Sequence, residues 1–382
     1  MKSIQGRIWM VVLVGVVIGW RADAAAEANV FPGKTWEEAT PQSQGVDPVK
    51  LREAIALLQR TVGKDGARKL VIVRHGRMIW KGVDIDRVHG VWSVTKSFTG
   101  TVLGLLIDDG KGTLDTRAAA LVPELAAYYP DATLRHFATM TSGYRAVGDE
   151  PQGDYRHGPS RTPFLPARPL FSPPGLQFAY WDSAMNVFAL ALTRLAGESL
   201  EQLLKRRIAD PIGMNPQRWR WGVHVQDRGV AVNGGAGNND KDIAISAREA
   251  ARFGLLFLNK GRWNGRQLIS ARWVEEATRV QVPAEMPWAH PESGIDRRGS
   301  YGFNWSANGL GPDGTRTYSG APQGMFWAAG HNNNRCFIIP EWNMVIVRLG
   351  LDGNPADHVW NDFLASVGEA VKAGDQPRGG RD

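Results

Sequence analysis

Cysteine is almost missing from this chain: 382 residues contain only Cys336. No internal disulfide can form, so the fold must be held by its core. Cys336 sits in an apolar run and reads as an inert core residue rather than a nucleophile. Clustered Lys/Arg and RNA-type aromatic motifs are also missing, so the net charge of +7 gives no support to nucleic-acid binding. The glycine-rich stretch Asn233-Gly234-Gly235-Ala236-Gly237 lacks the Gly-Lys-Ser/Thr ending of a phosphate loop. No internal repeat is visible. The apolar run Ile8 to Trp20 is too short for a comfortable membrane span.

What is present is globular composition with ample core: 43% hydrophobic, 22% charged, 15 Trp. The N-terminus has the form of a secretory signal. Lys2 and Arg7 precede the apolar run, and Ala22-Asp23-Ala24 or Ala24-Ala25-Ala26 offers a small-residue cleavage site. The expectation is a signal peptide over 1–26 and export to a periplasmic or secreted location, with no stable membrane span after cleavage. No Cys near the junction provides for a lipid anchor. Residues 27–382 are then expected to form one domain.

Asp47-Pro48 predicts a helix start, Asp as N-cap and Pro at the first helical position, running to about Val62. Lys69 to Val73 and Met78 to Trp80 flank the turn Arg74-His75-Gly76-Arg77 and read as a hairpin. Leu114 to Tyr129 is loosely helical, and Thr133 to Met140 reads as a short helix. Residues 144–175 read as a long loop. Phe178 to Leu195, Leu200 to Ile208, Glu249 to Leu258 and Ser270 to Thr278 read as helices, the third opened by a capping box at Ser246. Residues 218–242 read as turn-rich and 283–300 as a polar loop. Strands are expected at Tyr301 to Trp305, Met325 to Ala329, Arg335 to Ile339 and Met344 to Leu349, then a last helix from Asp357 to Ala373. The early hairpin and late strands lack βαβ alternation. The economical fold is α+β: one antiparallel sheet built from both ends of the chain (about 45–90 and 300–375), flanked by terminal helices, with a mainly helical lobe from about 91–299.

The stretch Val91-Trp92-Ser93-Val94-Thr95-Lys96-Ser97-Phe98 opens a helix whose apolar positions continue through Val102, Leu105 and Leu106. Ser93 and Lys96 are three residues apart and share a face. First-turn N–H groups put positive potential around Ser93, which suits an alkoxide or oxyanion. That is one way to build an acylatable serine. Alone, the pair also reads as an N-cap serine with a solvated lysine. Downstream, Tyr180 stands at the start of a buried helix, and Gly330-His331-Asn332-Asn333-Asn334 precedes a strand. Each has a plainer reading, as a helix anchor and as an Asn-rich turn.

Together and in this order, the three segments resemble the serine β-lactamase and penicillin-binding protein superfamily. The nearer likeness is to its class C β-lactamase-like branch, which also holds esterases, D-amino-acid peptidases and aminohexanoate-oligomer hydrolases. It extends over roughly 45–370. Leu134-Arg135-His136 through Met140-Thr141-Ser142-Gly143, Pro174-Gly175 with Phe178, Ser246-Ala247-Arg248 through Arg252-Phe253-Gly254, and Gly261 to Gly265 are similar to that branch. The resemblance implies a β-lactamase/transpeptidase-like fold. It implies a Ser93 nucleophile, Lys96 hydrogen-bonded to it, and Tyr180 as general base. It also implies an oxyanion hole from the Ser93 N–H and one from the 331–334 strand, Asn334 first. No cofactor or metal is implied.

Three departures narrow the substrate. The branch's Tyr-x-Asn is Tyr180-Trp181-Asp182 here. A third-motif Lys that would hold a substrate carboxylate is His331, far less charged at neutral pH. The following Thr-Gly is Asn332-Asn333. These changes weaken the case for a potent β-lactamase or D-Ala-type peptidase and favour a small ester or amide substrate, with Trp92, Trp181 and Tyr301 as candidate pocket walls. A non-catalytic sensor with the same fold is the rival from another class, which an intact Ser93, Lys96 and Tyr180 disfavour.

Overall fold

The computed structural model describes residues 29–149, 162–237, 239–352 and 357–374. The expected signal peptide, the middle of the 144–175 loop and the tail from Gln376 lie outside the described residues.

Helix α1 (Pro48–Thr61) begins as its sequence dictates: the Asp47 carboxylate accepts from the N–H groups of Val49 at 2.8 Å and Lys50 at 3.2 Å. Strands β1 (Leu70–Arg74) and β2 (Arg77–Lys81) form the hairpin, with His75 in its turn at φ 52°. After the short β3 (His89–Gly90) comes α2 (Val94–Asp108), then α3 (Ala118–Leu121) and α4 (Leu134–Ala138). Within α4, His136 is structural, its Nδ1 accepting the Thr133 N–H at 3.1 Å. The long loop carries β4 (Ala146–Val147) and β5 (Thr162–Pro166). Helix α5 (Asp182–Ala196) follows, then α6 (Leu200–Leu204), continued by a π-turn to Ala209. Residues 218–242, read as turns, instead hold β6 (Trp219–Trp221), β7 (Val223–Asp227) and β8 (Val230–Asn233). Three-residue strands and one short hairpin leave too little alternation to register against their glycines.

Next come β9 (Ile243–Ile245) and α7 (Ala247–Leu258). The predicted capping box is half made: the Ser246 hydroxyl accepts from the Glu249 N–H at 3.4 Å. The turn at 259–265 is a hairpin of β10 (Arg262–Trp263) and β11 (Arg266–Gln267), followed by α8 (Ala271–Thr278). The expected strand at Tyr301 to Trp305 is absent; Tyr301 makes one bridge to Ser306, and β12 is Ser306–Ala307. Asn304 at φ 61° breaks the extended run. Strands β13 (Phe326–Gly330), β14 (Asn334–Ile339) and β15 (Met344–Arg348) and helix α9 (Asp357–Gly374) close the chain.

The two ends of the chain build one antiparallel sheet, ordered β12-β13-β14-β15-β1-β2. Leu70 pairs with Arg348, and Ile339 with Met344. Alternation on these strands separates two cores. Ile72, Phe337 and Ile346 meet Leu51, Leu58, Trp360 and Phe363 of α1 and α9. Val71, Ile338 and Val345 face the other way, toward a larger core that holds α2, α5 and α7. Helix α7 itself packs on β1, β14 and β15, although it belongs to the helical stretch of the sequence. Cys336 points to this side, 3.8 Å from the Ala250 carbonyl, and burial pushes its thiol up to about 12. It is a core residue and not a thiolate.

Helix α2 is buried on every face from Val94 to Leu106, the mark of a central helix. Phe98 stacks on Phe253 of α7 with centroids 4.0 Å apart. Truncating such a ring to Ala costs about 3–5 kcal/mol. The site described next is thus mounted on a helix enclosed by the core.

Candidate active site

Ser93 occupies the N-cap position of α2 but makes no side-chain cap bond. Its Oγ instead accepts from Lys96 Nζ at 2.9 Å. Lys96 is not solvated either; it is 1% exposed. That removes the plainer reading of the pair. Lys96 Nζ also donates to Asp182 Oδ1 at 2.7 Å and to the Ala236 carbonyl at 2.5 Å. Three acceptors use all three N–H groups of an ammonium. Burial works against that charge, but the Asp182 carboxylate and the Tyr180 oxygen raise the Lys96 pKa above the ordinary lysine value. Asp182 sits in the first turn of α5, where the helix dipole favours a carboxylate. Lys96 is therefore held as an ammonium, with no lone pair for the Ser93 proton.

Tyr180 is not on a helix, because α5 starts two residues later, at Asp182. An extended segment holds it. The Phe178 N–H donates to the Pro287 carbonyl at 2.9 Å, the Ala179 N–H to Met140 at 3.0 Å, and the Ala289 N–H to Phe178 at 2.9 Å. The segment Met140-Thr141-Ser142-Gly143 is thus the bed on which the tyrosine lies. Lys96 Nζ stands 4.7 Å from the Tyr180 ring centroid. A second tyrosine, Tyr301, packs edge-on to Tyr180 at 6.2 Å. Burial pushes its phenol well above the ordinary value, with the neighbouring Tyr180 oxygen adding to the effect. Tyr301 is therefore a neutral wall.

These groups open into a cavity of about 280 Å³ lined by Trp92, Ser93, Lys96, Tyr180, Asp182 and Tyr301. The lining is completed by Trp327, Ala329, Gly330, His331 and Arg335, and by the loop Ser293 to Arg297. Two sequence expectations need correction. Trp181 is not a wall: it is 1% exposed, its Nε1 donates to Asp149 at 2.8 Å, and its ring meets His290. One residue after Tyr180 on an extended segment, it points the other way. Asn332, Asn333 and Asn334 are not cavity residues either. Asn332 and Asn333 form the β13–β14 turn at φ 58° and 61°. The Asn333 Oδ1 accepts from Trp360 Nε1, and the Asn334 amide bonds Gly350 and His331. The Asn334 N–H is directed at the His331 carbonyl, 3.5 Å away. The strand beside Ser93 is β13: a Cβ on Gly330 would stand 2.1 Å from the Val91 carbonyl.

Sequence reasoning also missed the loop Asn233 to Gly237. It threads between α2 and α5, and the Gly235 N–H donates to Asn186 Oδ1 at 3.1 Å. Ala236 brings its carbonyl to Lys96. Gly237, at φ 107°, lies where a Cβ would be 2.1 Å from the Trp92 carbonyl. Only glycine can pass there. The glycine run was the available signal, but only the contact gives it a role. Trp92 itself holds φ 49°, a costly conformation for a bulky residue, directly before Ser93. The similar segment at Ser246 to Gly254 is architectural. Arg252 is 1% exposed, lies 3.2 Å from Glu249, and ties down the carbonyls of Pro32, Gly33 and Ile212.

The sequence profile of the Beta-lactamase family matches residues 57–368. The chain belongs to that family. A relative, the 6-aminohexanoate-dimer hydrolase of Paenarthrobacter ureafaciens, is 23% identical over 307 residues, 74% of this chain and 71% of that protein. Among solved structures, a putative 6-aminohexanoate-dimer hydrolase from Bacillus anthracis superposes with TM-score 0.64 at 20% identity, covering 92% of this chain and 91% of that one. A family VIII carboxylesterase gives TM-score 0.60 at 19% identity, over 89% and 99% of the two chains. This beta-lactamase family member is thus a serine hydrolase with the fold its sequence resembles. Among the described residues no group of three or more His, Cys, Asp or Glu could hold a metal ion. No described helix is long and apolar enough to cross a membrane.

Proposed function

We propose that this hydrolase cleaves esters or small amides through a Ser93 acyl-enzyme. The observation that carries the reading is the Ser93 hydroxyl, released from capping and held 2.9 Å from the buried Lys96 ammonium. In the acylation step Tyr180 acts as the phenolate and takes the Ser93 proton as Oγ attacks the substrate carbonyl. Lys96 stays protonated and stabilises the negative charge shared by the Tyr180 and Ser93 oxygens. The oxyanion is held by the Ser93 N–H and a main-chain N–H of the Ala329–His331 stretch, which lines the cavity where Asn334 does not. Tyr180 then returns the proton to the leaving group, and water releases the acyl chain by the same steps in reverse.

The relatives' names include both a 6-aminohexanoate-dimer hydrolase and a carboxylesterase, consistent with this choice. Asp182 in place of an amide, and His331 in place of a lysine, count against strong β-lactam turnover. We further infer export, from the basic and apolar residues of 1–26; N-terminal sequencing of secreted protein starting between 22 and 27 tests it. The enzymatic reading is tested with a nitrophenyl ester and a chromogenic cephalosporin assayed side by side, with intact-protein mass spectrometry. Ester turnover with an acyl adduct on Ser93 is expected. Turnover of the cephalosporin alone would point to a β-lactamase, and a stable adduct without turnover to a sensor.

A further inference from the structure

Asn332 and Asn333 are not cavity residues, and their contacts give them another task. His331 to Asn334 form a reverse turn: the Asn334 N–H is directed at the His331 carbonyl, and Asn332 and Asn333 both hold positive φ. That is the geometry of tight hairpin turns, which asparagine tolerates better than most side chains. The turn is gripped on the sheet face away from α2. Asn333 Oδ1 accepts from Trp360 Nε1 of α9 at 3.0 Å, and Trp360 belongs to the core under α1 and α9. The Asn332 carbonyl accepts from Arg348 Nη1 of β15 at 2.8 Å. The Asn334 amide exchanges two hydrogen bonds with the Gly350 main chain, each 3.0 Å. Arg335 Nη1 joins the two ends of the turn, through the carbonyls of Gly330 at 2.8 Å and Asn334 at 3.1 Å.

These braces are costly to build. Asn333, Asn334, Arg348 and Trp360 are all fully buried. Arg348 also donates to the carbonyls of Gly66 at 3.0 Å and Val62 at 3.1 Å, just beyond α1, while the Asp352 carboxylate stands 3.9 Å off. A guanidinium kept out of water chiefly by main-chain carbonyls is expensive. In front, the same turn meets the nucleophile. A Cβ on Gly330 would stand 2.1 Å from the Val91 carbonyl and 3.2 Å from the Val94 nitrogen. The His331 ring lies edge-on to Trp92, with centroids 5.8 Å apart. The end of β13 is thus pressed against the Ser93 segment on one side and strapped to β15 and α9 on the other. Stability alone asks for less: an apolar ring at 360 with glycine at 333 would leave no buried polar group unpaired between them.

We propose that Asn333, Trp360 and Arg348 are positioning residues: they hold the Gly330–His331 main chain against Ser93 and so complete the oxyanion pocket. This rests on the hydrolase reading above, in which the Ala329–His331 stretch supplies the second N–H. A main-chain donor serves a transition state only if it is held to a fraction of an ångström. Gly330 has no side chain to fix it, and His331 is exposed. The anchoring therefore comes from behind. The φ of 61° at Asn333 would be met by glycine; the bond to Trp360 is what asks for an amide. Because the brace acts through the turn and touches no substrate, its loss slows the chemical step and leaves substrate binding nearly unchanged.

The test uses Asn333→Gly, which keeps the positive φ and removes the acceptor, Trp360→Phe, which removes the donor, and the two together. Ser93 is first titrated to completion with a fluorophosphonate, and kcat for a nitrophenyl ester is expressed per labelled site. Each single variant is expected to lower that kcat about 10- to 100-fold, the scale of a small misplacement at a reacting centre. KM should stay within about threefold, since uniform binding is untouched. The double variant should lose no more than the worse single one, because both remove one hydrogen bond. Arg348→Lys, too short of donors to span its carbonyls, should act in the same direction. A brace that only stabilises would lower the melting temperature and the labelled fraction but not kcat per labelled site. That result overturns the proposal, as does a double variant whose losses multiply. Hydrogen exchange of the Gly330–Asn334 amides needs no substrate and should quicken at least about tenfold in Asn333→Gly, as local opening becomes easier; unchanged exchange also overturns the brace. Quickened exchange in a protein whose native form turns over no ester or amide supports the brace and sinks the hydrolase reading. Native turnover with unchanged kcat per site in the variants does the reverse.

Discussion

The two walls of the cavity differ in how they are built. One wall, Ser93 and Lys96 on α2 with Asp182 on α5, stands on the first turns of two buried helices. Its groups are locked at 2.7 to 2.9 Å. The other is the end of β13, the hairpin turn and the loop 293–297, where short or irregular backbone carries Ala329, His331 and Arg297. Rigid helices fix the reacting atoms, and loops can vary what lies opposite without disturbing them. In the proposed mechanism the first wall holds the reacting groups and the second sets the selectivity.

If that division is right, damage to the first wall should cost far more than damage to the second. Ser93→Ala should lower kcat by about 10⁴-fold or more, the scale of losing a nucleophile that acts as part of a unit. Fluorophosphonate labelling should vanish with it; labelling that persists would remove Ser93 from the mechanism. Tyr180→Phe should lower kcat by about 10²–10⁴-fold, the usual size of general-base loss. A near-normal rate would return the base role to Lys96, against the three acceptors around its Nζ.

Asp182→Asn tests the ion pair through pH. Lys96 binds its proton more tightly in the folded protein than in the unfolded chain, so its contribution to stability is whole below its ordinary value of 10.5. It is lost as pH rises through the higher folded value. Removing the Asp182 charge leaves burial to act on Lys96 and lowers its pKa. The alkaline limb of kcat/KM should then move to lower pH in the variant, and an unmoved limb would show that Asp182 does not hold the proton on Lys96.

Asp149 offers the smallest effect on chemistry and a clear one on stability. It is 5% exposed and accepts from Trp181 Nε1, Ser183 Oγ and the Ala146 N–H at 2.8 to 2.9 Å. It ties the long loop to the segment that carries Tyr180. Asp149→Ala should cost about 2–4 kcal/mol in chemical denaturation, as for a carboxylate leaving buried donors unpaired. Its effect on kcat should stay below that of Tyr180→Phe. A larger kinetic loss would mean that the loop carries a reacting group.

How far the fold could be read in advance follows element length. The long helices and core strands follow from periodicity and caps, as at Asp47-Pro48 and in the Ser93 stretch. The sheet shared by both ends follows from the order of the elements. The three short strands of 219–233 did not, because runs of three to five residues carry too little period. The site divides in the same way. Spacing of three residues puts Ser93 and Lys96 on one helical face, a local fact that any reader of the chain can use. The close passage of Gly237 by the Trp92 carbonyl, and the meeting of the Ala236 carbonyl with Lys96, join residues far apart in sequence.

By itself, then, the sequence determined the helices, the sheet built from its two ends, and a serine one turn from a lysine. These rest on interactions within a few residues, or on the sorting of apolar from polar side chains. Only the tertiary structure decided that Lys96 is an ammonium, because its charge depends on Asp182 and Ala236 brought to it through a low-dielectric core. It likewise decided that β13 lies beside the serine. Charge state and cavity shape belong to the packed chain, since each is set by what burial places next to a group.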